Sequence, residues 1–164
     1  MGVTIRYEGR LRSPDSYDEL AARVKQVADR HEWLFSAILA KKVHLPRIVD
    51  GEVDEYVGPL KGVVVNPHQD CEAVRFLFDA TGFMQGFVKT QFCPSRIHIR
   101  IVELLRSIED LFTVFRVVDE GAYWETGRVD MLDQRKKFLA NEIEGPAEFL
   151  NQARQRNRDD PSGP

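Results

Sequence analysis

The densest cluster of chemically competent side chains lies between Asn66 and Glu72, in a segment that joins two predicted strands. His68, Asp70 and Glu72 can each bind a metal ion or transfer a proton, and the His-x-Asp spacing places two such groups on one side of an extended chain. Asn, Pro and Asp are also the residues that a strand connection requires. No second ligand pair at a recognised spacing accompanies them, so we interpret the segment as a connecting loop.

The two cysteines, Cys71 and Cys93, permit thiol chemistry. Cys93 precedes a predicted helix, where the pKa of a thiol is lowered, and His98 follows it by five positions. That offset does not stack the two side chains on one helix face, and we interpret Cys93 as a small core residue. The cysteines could pair with each other, but in a chain without a visible leader we expect both to be reduced. Their spacing matches no zinc site.

A predicted strand from Phe83 to Phe92 has an unusual outer face. Its inner positions, Met84, Val88 and Phe92, are typical of a core. The opposite side mixes aromatic, amide and charged groups, a composition that suits a ligand cleft or a partner surface. A solvated sheet face with scattered aromatics is the alternative. The candidate ligand- or partner-binding residues are Gln85, Phe87, Lys89 and Gln91.

A second acidic segment, 119–127, places three carboxylates around Tyr123 and Trp124. Paired carboxylates beside an aromatic platform can bind a sugar or act as acid and base. The same residues are common in turns, and no partner constellation is visible. We therefore interpret this segment as a structural connection.

Composition and motifs exclude several classes of protein. The chain has 23 Lys and Arg against 26 Asp and Glu, a formal net charge of -3, which does not favour nucleic-acid binding. Phosphate-binding glycine loops, GxSxG and HExxH are absent. We predict no cofactor. The N-terminus lacks the features of a signal peptide, and no apolar run is long enough to span a bilayer. We therefore expect a cytoplasmic protein with no membrane partner.

The elements that must position these residues follow from hydrophobic periodicity. The pattern predicts a strand from Val3 to Leu11 and a helix after Ser13-Pro14. The apolar segment 35–43 is predicted to be a strand, and Pro46 confines any continuation of it to an edge or a turn. The segment 50–55 is predicted to be an exposed hairpin or loop. Further predicted elements are a three-strand meander over 62–65, 74–78 and 83–92, a helix after 94, a strand over 114–118, and helices over 129–142 and to about 152.

This order predicts an α+β domain rather than a strictly alternating α/β fold. We expect one domain over residues 1–153, with a mainly antiparallel sheet of about five or six strands. Two long amphipathic helices should pack on one face, with a further helix near the C-terminus. The polar segment 154–164 is predicted to be disordered.

No known family is recognisable in these residues. The leading hypothesis is a soluble, non-catalytic domain that binds a partner protein or a small ligand on its sheet face. The alternative is a small enzyme, with or without assistance from a metal ion, with a site around His68, Asp70 and Glu72. Folding would then bring His98 or Glu120 near that site, and the convergence of His44, His68 and His98 is the observation that separates the two hypotheses.

Overall fold

A computed structural model describes residues 2–140 and contains one six-stranded sheet with four helices. The strands are β1 (Thr4–Leu11), β2 (Leu34–Val49), β3 (Glu52–Asn66), β4 (Val74–Phe78), β5 (Phe83–Lys89) and β6 (Phe112–Asp119). The helices are α1 (Ser16–His31), α2 (Ser95–Ile108), α3 (Tyr123–Thr126) and α4, which includes residues 129–140. A short 3-10 turn, Glu109–Leu111, joins α2 to β6.

The strands lie in the order β2-β3-β4-β5-β1-β6, and every neighbouring pair is antiparallel. This confirms the predicted α+β class and the predicted meander, which is β3-β4-β5. Because β1 lies between β5 and β6 and is antiparallel to both, β5 and β6 run in the same direction. Helix α2 connects them as a crossover.

Helices α1 and α2 cover one face of the sheet, as their periodicity predicts. Helix α1 buries Leu20, Val24 and Ala28, and it ends at Glu32, whose φ of 58° is left-handed. Helix α2 begins at Ser95, so the segment Ile97–Ile101, which alone resembles a strand, is helical. Its core face also includes Leu104, Leu105 and Ile108. These side chains pack on the inward-facing residues of the strands and form a single core.

Tyr7 closes a gap within the sheet. Strands β4 and β5 share one registered pair, Phe78 with Met84, and then separate. The Tyr7 hydroxyl donates to the Arg75 carbonyl at 2.8 Å and accepts from the Arg75 N–H at 3.1 Å. A Cβ at Gly86 would lie 2.7 Å from the Tyr7 ring, so glycine is required for this close approach. Backbone groups that would otherwise be unsatisfied are thereby paired.

The prediction was least accurate for β2 and β3. Both strands are longer than predicted and form one hairpin, with register from Leu34–Asn66 to Val49–Glu52. Pro46 fits because β2 is an edge strand. Asp50 and Gly51, at φ 52° and 82°, make a two-residue turn of the type that hairpins favour. The segment 50–55, predicted to be an exposed hairpin or loop, is the tip of this hairpin, and its acidic residues after the turn are exposed positions of β3.

The last sequence predictions fall outside the described residues. These are the end of α4 at 142, the short helix to 152, the domain boundary at 153 and the disordered segment 154–164. Among residues 2–140, no helix combines the length and apolar character that crossing a bilayer requires.

Candidate functional site

The face of the sheet opposite α1 and α2, here called the open face, carries three rows of side chains across β5, β1 and β6. Strand register aligns Phe83 with Arg10 and Val114, Gln85 with Glu8 and Arg116, and Phe87 with Arg6 and Val118. Two rows therefore have the composition aromatic, arginine, valine, and the row between them is polar. Cross-strand neighbours of this kind lie in contact, so the rows form one continuous surface.

The distal part of the β2–β3 hairpin, residues 43–58 and here called the arm, is held to this face by Gln85. The Gln85 side-chain amide donates to the Ile48 carbonyl at 2.8 Å, and its oxygen accepts from the Ile48 N–H at 3.0 Å. The amide also donates to Glu8 at 2.9 Å. Gln85 thus pairs with the free edge of β2 as another strand would.

Arg47 adds a second contact between the arm and the sheet. Its guanidinium lies 5.4 Å from the centre of the Phe83 ring, and Arg10 lies 5.5 Å from the same ring. Arg47 is 6% exposed, and its Nε and Nη2 atoms have no hydrogen-bond partner within residues 2–140. Burial lowers the pKa of Arg47. Arg47 and Arg10 thus place two guanidinium groups beside the Phe83 ring.

Between the arm and the sheet lies a groove of about 810 Å³. Phe87 and Val118 form part of its sheet side, and Ile48, Val49 and Val53 form part of its arm side. Phe87 is 60% exposed and Val53 is 78% exposed, so both present apolar surface to solvent. Arg6 and Arg116 also line the groove and make ion pairs with Glu120 at 3.1 Å and with Glu8 at 3.4 Å. The groove thus combines apolar side chains with the charged groups of Arg6, Arg116, Glu8 and Asp50.

Two of the four residues named from the sequence lie at this groove, namely Gln85 and Phe87. Lys89 is further along β5, where its ammonium lies 5.6 Å from the centre of the Phe92 ring. Gln91 follows the end of β5, and its amide accepts from the Val3 N–H and donates to the Lys136 carbonyl. Gln91 therefore connects β1 and α4.

The segment around His68 is a loop between β3 and β4 whose side chains hydrogen-bond to nearby backbone groups. His68 Nδ1 accepts from the Asp70 N–H at 3.1 Å, and a Glu72 carboxylate oxygen accepts from the Lys89 N–H at 3.1 Å. The Glu72 carboxylate thus accepts a hydrogen bond from a backbone N–H at the end of β5, in place of a carbonyl from a neighbouring strand. Within residues 2–140, no group of three or more His, Cys, Asp or Glu is arranged to hold a metal ion.

A hydroxyl–imidazole–carboxylate chain lies in the core. His98 Nδ1 is 2.7 Å from Thr90 Oγ1, and His98 Nε2 is 3.0 Å from an Asp119 carboxylate oxygen. These are the groups of a nucleophile–base–acid triad, but Thr90 and His98 have no exposed surface. A substrate cannot reach them in this conformation. These two hydrogen bonds instead link the residue after β5 to α2 and β6.

Asp119 remains ionised despite its burial. Burial raises the pKa of its carboxyl, but hydrogen bonds from His98, the Trp124 N–H and the Gly121 N–H outweigh that effect and lower the pKa overall. Since a carboxylate only accepts hydrogen bonds, His98 Nε2 carries the proton that they share. Both ring nitrogens of His98 are engaged, which removes the basis for a Cys93–His98 nucleophile.

The other candidate acids and histidines do not form one site. Glu120 accepts from Arg6 and from the Thr4 N–H at the end of the sheet. His44 pairs with Glu55 on the arm, His68 lies in its loop and His98 is in the core. The convergence of three histidines that the enzyme hypothesis needs is not found.

The sequence reasoning missed the arm side of the groove and the two arginines. Two signals could have revealed them. Asp50-Gly51 is a strong two-residue hairpin signal when apolar residues such as Val49 and Val53 lie close on either side. Arg6 alternates with inward-facing residues of β1, so it had to lie on the same face as Phe87 once the strands paired.

Comparison of the chain with protein-family models, with curated proteins and with solved structures found no match. Function is therefore inferred from the groove itself.

Proposed function

We propose that this protein is a non-catalytic binding domain and that the groove between the arm and the open face takes a small amphipathic anion. The observation that carries the proposal is the double hydrogen bond between Gln85 and Ile48. It holds the arm over an apolar surface, which creates a recess where an open sheet would otherwise be flat.

The size of the groove favours a small molecule over a protein. Small-molecule sites are typically concave and about 300–1,000 Å³, and the groove is about 810 Å³. Phe87, Val118 and Val53 can contact the apolar part of such a ligand from two sides. A protein partner would need a larger and more open surface, about 800 Å² on each side.

Two guanidinium groups could bind the anionic group of the ligand. Arg6 and Arg116 line the groove, together with the carboxylates Glu8 and Asp50, and Arg10 lies beside them on the open face. A guanidinium has five N–H donors in a geometry that matches a carboxylate or sulfonate. Beside Phe83, which lines the groove, Arg47 adds a buried guanidinium whose Nε and Nη2 atoms have no hydrogen-bond partner within residues 2–140.

The test uses 8-anilinonaphthalene-1-sulfonate, a fluorescent probe with an apolar ring system and one anionic group. We expect wild-type protein to bind it and Phe87→Ala to bind it about tenfold more weakly, because an aromatic contact worth about 1.4 kcal/mol is lost. Phe138→Ala is a matched control, since Phe138 lies on α4 and is also 60% exposed. It should retain wild-type affinity.

A second variant separates the charge from the apolar contact. Arg116→Gln should weaken binding of the sulfonate probe but leave binding of the neutral dye Nile red unchanged. Circular dichroism establishes that all three variants are folded. Equal affinity of wild type and Phe87→Ala for the sulfonate probe, or equal losses in Phe87→Ala and Phe138→Ala, would contradict the proposed site.

A further inference from the structure

The two cysteines of the chain meet beside the end of β5, although they are far apart in sequence. The Cys71 thiol donates to the Lys89 carbonyl at 3.7 Å, and the Cys93 thiol donates to the Thr90 carbonyl at 3.3 Å. These carbonyls belong to consecutive residues. Cys93 belongs to the hydrophobic core and Cys71 packs against it.

The surroundings make the two thiols unequal. Interaction with the Cys71 thiol is the main cause that lowers the pKa of Cys93, and the Lys136 ammonium lowers it further. The Lys136 Nζ donates to the Cys93 carbonyl at 2.6 Å. Interaction with the Cys93 thiol, followed by burial and the Glu72 carboxylate, raises the pKa of Cys71. Asp70 opposes ionisation of Cys93. Cys93 is thus the thiol that ionises first.

The two cysteines also differ in their exposure to solvent. Cys71 is partly exposed, whereas Cys93 is 5% exposed. We therefore expect a bulky reagent to react with Cys71 alone, and only a small oxidant to react with Cys93. The thiolate is the reactive form of cysteine, and Cys93 is the thiol that ionises first. Because Cys93 is nearly buried, the oxidant that reacts with it should be small.

We propose that Cys71 and Cys93 form a dithiol site that hydrogen peroxide, or a similarly small hydroperoxide, converts into an intramolecular disulfide. The Cys93 thiolate attacks one peroxide oxygen, the O–O bond breaks, hydroxide leaves and Cys93 becomes a sulfenic acid. Cys71 sulfur then attacks Cys93 sulfur, and the S–O bond breaks. The departing hydroxide takes the Cys71 proton and leaves as water. Two thiols and one peroxide thus give one disulfide and two waters.

The product would tie the loop before β4 to the turn between β5 and α2. This site is separate from the groove, and its chemistry does not depend on the proposed ligand. A thiol reagent can identify the product without ambiguity because the chain has only two cysteines.

The experiment treats the full-length protein with hydrogen peroxide and measures free thiols, intact mass and the cysteine-containing peptides without reduction. The expected result is a monomer that loses both thiols and two hydrogen masses and yields one peptide linking Cys71 to Cys93. Two unreacted thiols, disulfide-linked dimers, or sulfinic acid without the internal disulfide would each overturn the proposal.

Variants test the order of attack. In Cys71→Ser, a sulfenic acid should accumulate at Cys93 and appear as a gain of one oxygen in the intact mass, while Cys93→Ser should react about tenfold more slowly. Lys136→Gln should slow the wild-type reaction, whereas Lys137→Gln, which changes the exposed neighbouring lysine, should not. Equal rates for the two lysine variants would contradict Cys93 as the attacking thiol. The wild-type product remains decisive if a cysteine variant fails to fold.

Discussion

On the helix-covered face of the sheet, the Asp119 carboxylate is fully buried and accepts hydrogen bonds from His98, Gly121 and Trp124. On the open face, Gln85 joins the arm to the sheet with two hydrogen bonds to Ile48, and both groups border a groove that solvent enters. The two sets of bonds use similar chemical groups. Their surroundings differ, and so should the consequences of removing them.

The two sets of hydrogen bonds differ in whether water can replace a lost partner. A donor that loses its partner in the core remains unpaired, which costs more than the bond itself contributes. A donor that loses its partner beside the groove is hydrated instead. Asp119 should therefore determine the stability of the fold, whereas Gln85 should determine the position of the arm and the shape of the groove.

The largest expected effect is that of Asp119→Ala. We expect it to lower the free energy of unfolding by at least about 3 kcal/mol, because three buried donors lose their acceptor. Urea denaturation followed by circular dichroism measures this. The control is Asp130→Ala, which removes a surface carboxylate that pairs with Arg128 and should leave the urea midpoint near that of wild type. A similar midpoint for both variants would remove the distinction between the two faces.

The second prediction is a pH dependence. The pKa of Asp119 in the folded protein is below its ordinary value of 3.8, so the unfolded chain binds the proton more tightly. The stabilisation from Asp119 is therefore complete above about pH 4 and is lost as the pH falls through the folded-state pKa. Urea midpoints of wild type and Asp119→Asn should differ at pH 6 and converge below pH 3.8. A difference that stays constant with pH would show that ionised Asp119 is not the stabilising group.

The smallest expected effect on stability is that of Gln85→Ala, about 1 kcal/mol. Its effect on the arm should be larger. Trypsin should cleave after Arg47 faster, because that residue is buried only while the arm lies on the sheet, and the sulfonate probe should bind more weakly. Gln69→Ala changes an exposed loop glutamine and serves as the control. Unchanged cleavage in Gln85→Ala would mean that other contacts hold the arm.

Much of the fold could be predicted from the sequence, because the patterns that indicate helices and strands involve residues close together in the chain. Leu20, Val24 and Ala28 recur at helical spacing, and Ile5 and Tyr7 alternate with Thr4 and Arg6 as they must on a half-buried strand. The long hairpin was harder. Its acidic residues are exposed on both sides of β3, so they lack the alternation that identifies a strand with one buried face.

About half of the candidate site could be predicted from the sequence. Periodicity alone put Gln85 and Phe87 on the open face, since alternate residues of a strand face opposite ways. It could not separate them from Lys89 and Gln91. Only the folded chain shows that the arm reaches Gln85 and Phe87. It also shows that the Gln91 side chain is hydrogen-bonded to the backbone of Val3 and Lys136.

The sequence by itself determined the α+β class, the amphipathic helices and the presence of a mixed outer face on β5, because each depends on neighbours within a few residues. The tertiary structure decided which distant groups meet. It brought Thr90 and Asp119 to opposite sides of the His98 ring, Cys71 beside Cys93, and the arm onto Gln85. Such contacts depend on strand order and register, and the cooperative packing of the whole chain sets both.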